Sequence, residues 1–260
     1  MSPEQKAYLK RIKRENLLVK LTQIFIVVSF LATWEILTRM RIINPFIFSS
    51  PSRVIETTIS LIRANNFFIH IYTTMIEVII AFALGIVLGF CIAILLYLFK
   101  FLARVIDPFL TLLNSVPKIA IGPLLIIWVG ANTTSIIVMA LLINLIISIV
   151  TIYNGFMSTD ETRIKLLQTF GATKLQILGH VVIPGSYPTI ISSLKLNVSM
   201  TLVGVIMGEF LVSKQGIGYL IIYGTQVFNL NLVMTGIFIL VIISYILYKL
   251  ITKLEEKISD

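Results

Sequence analysis

Charge is scarce in this chain: only 13% of its 260 residues are Asp, Glu, Lys or Arg, and 57% are hydrophobic. Ordinary soluble domains carry about 25% charged and roughly 45–50% apolar residues. A surface so poor in polar groups cannot face water on all sides, which excludes a soluble globular protein and turns most of the surface toward lipid. Cysteine is almost missing. Cys91 stands alone, so no intrachain disulfide or cysteine-based metal site can form, and its place in the apolar run 81–98 marks it as a small core residue. The two histidines, His70 and His180, are far apart and neither belongs to a His-Glu-x-x-His pattern, which argues against a membrane metalloprotease. No Gly-x-x-x-x-Gly-Lys-Ser/Thr loop is present, so ATP cannot be handled by that route. The expectation is a non-enzyme without cofactor or metal, any energy coming from a separate subunit.

What the chain does have is apolar length, with a mean hydropathy of +0.98. A bilayer-crossing helix needs about 20 mostly apolar residues, because its backbone must satisfy itself once water is gone. Six stretches qualify: Leu21–Leu37, Ile71–Phe99, Pro108–Val129, Ser135–Tyr153, Ser186–Val212 and Leu232–Leu250. The turn signal Gly130-Ala131-Asn132-Thr133-Thr134 separates the third from the fourth as a tight hairpin. The amino-terminal segment is too long and too charged for a cleaved signal, so the first span is expected to remain as an anchor. These boundaries give a basic tail over 1–20, a six-span domain over 21–253 and a tail over 254–260. The expected class is an all-α membrane protein.

The net charge of +9 reads as a topology signal and not as a nucleic-acid surface. Lys6, Lys10, Arg11, Lys13, Arg14, Lys20, Lys100, Arg104, Arg163, Lys165, Lys174, Lys249, Lys253 and Lys257 fall on one side of the six spans. Arg39, Arg41, Arg53, Arg63 and Lys214 fall on the other, with Lys118 and Lys195 near inner span ends. The positive-inside rule then makes both termini cytoplasmic. In the first external loop, Ser50-Pro51-Ser52-Arg53 followed by the apolar stretch Val54–Ile62 signals a short interfacial helix.

One inner loop, 154–185, is long and helically patterned. Ser158-Thr159-Asp160-Glu161 has capping-box spacing ahead of Ile164, Leu167 and Phe170. Gly171 suits a left-handed cap, and Thr173 to Gln176 repeats the box before a second helix expected to stop near Pro184. The product is a helix, a glycine corner and a helix, either lying on the inner leaflet or inserted into a cytoplasmic partner.

Few charges interrupt the spans, and each must face a cavity, a partner or an interface. Glu35 and Glu77 lie near outer span ends, where snorkelling costs little, and the Lys195 stem is long enough to reach the inner headgroups. Glu209 sits deeper, behind Gly204 and Gly208, whose small-xxx-small spacing admits a close neighbour. It reads as a pathway or dimer-interface residue or as a paired carboxylate. Pro117 and Pro123 are expected to interrupt the third span, and Asn114, Ser115 and Asn144 add polar groups that could meet solute or bridge helices.

Phe170-Gly171-Ala172, Pro184 twelve residues on, Gly204 to Glu209, and Gly216-Ile217-Gly218-Tyr219-Leu220-Ile221 occur in that order. With Val116-Pro117-Lys118-Ile119-Ala120-Ile121-Gly122-Pro123, this combination resembles the permease subunits of binding-protein-dependent ABC importers, above all the nitrate/sulfonate/taurine branch. The similarity covers about Pro45 to Lys257. It implies a type I importer permease in the bacterial inner (plasma) membrane, paired as a homodimer, with two copies of an ABC ATPase subunit and an extracytoplasmic solute-binding protein. It implies coupling to the ATPase through Glu161, Lys165, Leu167, Phe170, Gly171, Ala172 and Lys174. It implies a translocation path or dimer interface at Asn114, Pro117, Pro123, Asn144, Gly204, Gly208 and Glu209, and a small anion or vitamin precursor as solute. One departure stands out: Lys165-Leu166-Leu167 occupies the family's Glu-Ala-Ala. The rival from another class is a stand-alone secondary transporter or channel with Glu209 as its ion-coupling group.

Overall fold

The computed structural model describes residues 3–259; Met1, Ser2 and Asp260, and the side chains of Lys6 and Lys257 counted above for topology, lie outside the described residues. The first helix, α1 (Pro3–Arg39), absorbs the basic tail and first span into one rod of 37 residues. Its apolar window has no buried residue. It meets the rest near its end, where Trp34 stacks on Phe238 with ring centroids 5.6 Å apart. A short α2 (Pro45–Phe48) and α3 (Pro51–Arg63) follow, the latter started by Ser50, whose side chain accepts from the Arg53 N–H, and by Pro51 in its first turn. A helix thus forms where the interfacial one was expected. Glu35 does not simply snorkel: it pairs with Arg39 at 2.7 Å and accepts from the Ser52 N–H at 3.0 Å, tying α1 to the start of α3.

Long helices α4 (Phe67–Leu98), α7 (Thr133–Met157), α10 (Ile183–Val212) and α12 (Leu230–Ser259) form the bundle, with α7 packed between α4 and α10. Two glycine pairs make that sandwich possible. On α4, Gly85 faces Asn144 and Gly89 faces Ser148; on α10, a Cβ at Gly204 would meet the Ala140 Cα at 2.6 Å and one at Gly208 the Ile136 Cγ2 at 2.9 Å. Bare backbone lets both neighbours close on α7, which matters in lipid, where packing and not hydrophobicity drives helix association. Around these contacts Val78, Ala81, Ile136, Ala140, Val205 and Ile239 form the main core.

The third span differs from its expected form. Helix α5 begins at Lys100 and ends at Ser115, and a 3-10 turn (Lys118–Ile121) leads into α6 (Gly122–Val129) at an angle of 86°. Pro117 causes the break: it lacks an N–H, and its ring drives Val116 to an extended φ of −69° and ψ of 132°. Pro123 breaks nothing, because it lies in the first turn of α6, where no N–H is needed. Among the described residues, five helices are long and apolar enough to span, and six if the bent pair counts as one crossing. Cys91, expected in the core, is exposed on α4.

Candidate functional site

The loop expected over 154–185 is shorter than its sequence suggests, because α7 runs on to Met157. Helix α8 (Glu161–Thr169) is capped by Asp160, which accepts from the Thr162 N–H at 2.8 Å. That bond holds the Asp160 carboxyl below the usual carboxylate range. The expected Ser158/Glu161 box therefore does not form. Ser158 instead closes α7 with a bond to the Gly155 carbonyl, and Glu161 pairs with Lys165 at 3.0 Å. The lysine that replaces the family's acid thus has its own carboxylate one turn back.

The glycine corner forms as read. Gly171 adopts φ +77°, its N–H reaches the Gln168 carbonyl at 3.0 Å, and the Ala172 N–H reaches that of Leu167 at 3.1 Å. This is a Schellman closure, and with no heavy atom within 4 Å of a hypothetical Cβ, backbone conformation alone demands glycine. Thr173 and Gln176 cap the next helix, α9 (Lys174–Ile177), reciprocally. That helix does not stop at Pro184. A π turn (Leu178–Val182) shifts the register, and Pro184 enters the first turn of α10, so the elbow passes without a gap into the span.

Leu167 and Ala172 pack on a second core of Phe156, Ile177, Leu178 and Val182, fixing the elbow to the bundle. Phe170 points outward, 78% exposed, with Leu175 at 66% and Leu166 at 57%. A rigid support thus presents an apolar tip. Phe170, read in the sequence together with Ile164 and Leu167, parts from them, since those two pack on the core. Leu166 and Leu175 fall outside that reading, though they form a second apolar face on these short helices.

Glu209 is fully buried, and its surroundings are specific. Thr74 donates to Oε1 at 2.6 Å, the Gly218 N–H donates to Oε2, and the Tyr219 backbone also faces the carboxyl. These backbone groups open helix α11 (Ile217–Gln226), so the carboxylate caps it from another helix. Gly216 has φ +109°, and a Cβ there would overlap the Glu209 carboxyl. His70 accepts from the Gly216 N–H at 2.9 Å, and Thr74 from the Ile217 N–H at 2.8 Å. His70, Thr74 and Glu77 share one face of α4. Glu77, expected near an outer span end where it could snorkel, is instead 1% exposed beside Glu209, and among the described residues neither of its oxygens has another partner.

The other expected path residues divide. Gly204, Gly208 and Asn144 are spent within the chain: Asn144 donates to the Ala81 and Phe82 carbonyls at 3.3 and 3.4 Å. Asn114 and Pro117 are exposed at the bend, where Lys118 bonds Asn114. Lys195 pairs with Glu255 and lies 5.7 Å from the Tyr248 ring centroid, joining α10 to α12.

Among the described residues this fold is an all-helical bundle with five or six candidate membrane spans and one protruding elbow. Residues 81–260 match the family described as binding-protein-dependent transport system inner membrane component. The chain is 30% identical over 223 residues to the formylaminopyrimidine transport permease protein ThiX of Halalkalibacterium halodurans, covering 86% of this chain and 88% of that one. It is 23% identical over 234 residues to the taurine transport system permease protein TauC of Escherichia coli, covering 88% and 85%. Among solved structures, a bacterial ABC transporter involved in the import of the acidic polysaccharide alginate superposes with a TM-score of 0.67 at 14% identity, covering 98% and 100%. The chain belongs to the family of inner-membrane permeases of binding-protein-dependent ABC importers. It is the membrane subunit of such an importer, which sets aside the stand-alone transporter.

Proposed function

We propose that two copies of this chain form the path, and that each elbow seats its Leu166, Phe170 and Leu175 tip in a groove of a separate cytoplasmic ATPase subunit. The observation that carries this reading is the exposed apolar tip on an elbow whose own backbone bonds are closed and whose inner residues are locked to the core. Closure of the two ATPases drives the elbows together. Because α9 continues through the π turn into α10, the movement passes directly to the spans as a rigid-body rotation. Both termini are cytoplasmic, supported by the one-sided distribution of Lys and Arg.

The copies meet through the broken third span, where Phe101, Phe109 and Leu112 of α5 are exposed. The solute is a small organic molecule of the sulfonate, taurine or pyrimidine-precursor kind, supported by the named solutes of the relatives, and it arrives from an extracytoplasmic binding protein. Glu209 positions α11 and does not carry an ion. The test is Gly171→Val in the reconstituted complex. Uptake should fall at least tenfold while membrane insertion is kept and ATP hydrolysis continues; unchanged uptake refutes the coupling role.

A further inference from the structure

On the bundle side of the elbow lies a cavity of about 730 Å³, the size of a small-molecule site. Lys100 and Arg104 of α5, Lys165 of α8 and Lys174 of α9 line it, against the carboxylates of Asp107 and Glu161. Glu161 is already engaged by Lys165, and among the described residues Lys100, Arg104 and Lys174 form no ion pair. Thr159 also lines the cavity, but its Oγ1 is buried against Gly185 at the start of α10, so the cations are the groups that a ligand would meet.

We propose that this cavity binds the phosphate headgroup of an anionic phospholipid from the cytoplasmic leaflet. Unpaired cations recognise phosphate oxygens. Depth selects a lipid over a dissolved anion: Tyr97 and Tyr153, which also line the cavity, stand near the ends of α4 and α7, where tyrosines mark the membrane interface. Ala103, Phe156 and Ile177 add apolar wall, beside the amide of Gln168. The apolar tip of Leu166, Phe170 and Leu175 does not line it, so a lipid there leaves the tip free for the ATPase, while Glu161, Lys165 and Lys174, expected above among the coupling residues, stand at the cavity. A headgroup held there would bridge α5 to α8 and α9, linking the broken span to the coupling elbow. The proposal rests on the elbow being cytoplasmic, as in the function proposed above.

The test is lipid retention by the intact permease–ATPase complex, purified from vesicles of phosphatidylcholine and phosphatidylglycerol in a ratio of about four to one and read by native mass spectrometry. Wild type should retain phosphatidylglycerol in preference to phosphatidylcholine. K100Q/R104Q should weaken retention about thirtyfold, the effect of two interfacial cations. K13Q/R14Q, on the exposed face of α1, should retain lipid as wild type does. Equal retention of both lipids, retention unaffected by K100Q/R104Q, or displacement by millimolar inorganic phosphate would each overturn the assignment, the last in favour of a soluble anion. Because the readout is lipid and not transport, failure here leaves the importer reading standing.

Discussion

The contact between Glu209 and the start of α11 allows a quantitative test by a double-mutant cycle with Gly216. Glu209→Ala leaves the Thr74 hydroxyl and the Gly218 N–H without their acceptor in a buried site. Each stranded donor costs about 1–3 kcal/mol in soluble cores, and bonds measured in membrane bundles average about 0.6, so the sum falls near 2–4 kcal/mol. Gly216→Ala carries two penalties: strain at φ +109°, about 1–3 kcal/mol, and overlap of the new methyl with the Glu209 carboxyl. In the Glu209→Ala background the overlap vanishes and only strain remains. The two substitutions together should therefore cost about 2 kcal/mol less than the sum of each alone. The assay is denaturant unfolding of the purified chain in mixed micelles, for wild type, both singles and the double. Additivity within about 0.5 kcal/mol would refute the reading that Gly216 is bare because the carboxylate occupies its side-chain space.

Glu77→Gln should be neutral or stabilising by up to about 1 kcal/mol, because the amide keeps the shape, removes one of two adjacent buried carboxyls and can donate to Glu209; a loss above about 1 kcal/mol in the same unfolding assay contradicts this. Gly204→Leu should cost about 3 kcal/mol or more by forcing α10 off Ala140, whereas Gly179→Ala, with open space around it, should change stability by less than about 1 kcal/mol; equal effects would deny the close approach. Phe170→Asp with Leu175→Asp should leave folding intact, since both are exposed, yet lower ATPase co-purification at least tenfold; normal recovery of the complex would refute the docking tip.

Sequence pattern conveyed the spans, because about 20 apolar residues leave few alternatives in lipid, and it conveyed the corner at Gly171, where a positive φ and two caps are local features. It did not convey contacts between distant segments. Glu77 looked like a harmless outer-end carboxylate because nothing in the sequence brings α4 against Glu209 and the Gly216 turn. Gly85 and Gly89 passed unnoticed for the same reason: their use is defined by Asn144 and Ser148 on another helix. Pro117 and Pro123 look alike in sequence and act oppositely, one breaking a helix and the other starting one, because the effect depends on the turn in which each falls. Helix periodicity also hid the π turn, which lets the chain cross Pro184 without stopping.

The central claim is that the elbow is cytoplasmic and held by the ATPase. The most direct measurement places a single reactive thiol at its tip, Phe170→Cys with Cys91→Ala, in the assembled importer. A short thiol cross-linker should join position 170 to the ATPase subunit, and a membrane-impermeant maleimide should reach it in inside-out vesicles and not in intact cells. Labelling from outside intact cells, or cross-linking only to the permease itself, would contradict the account.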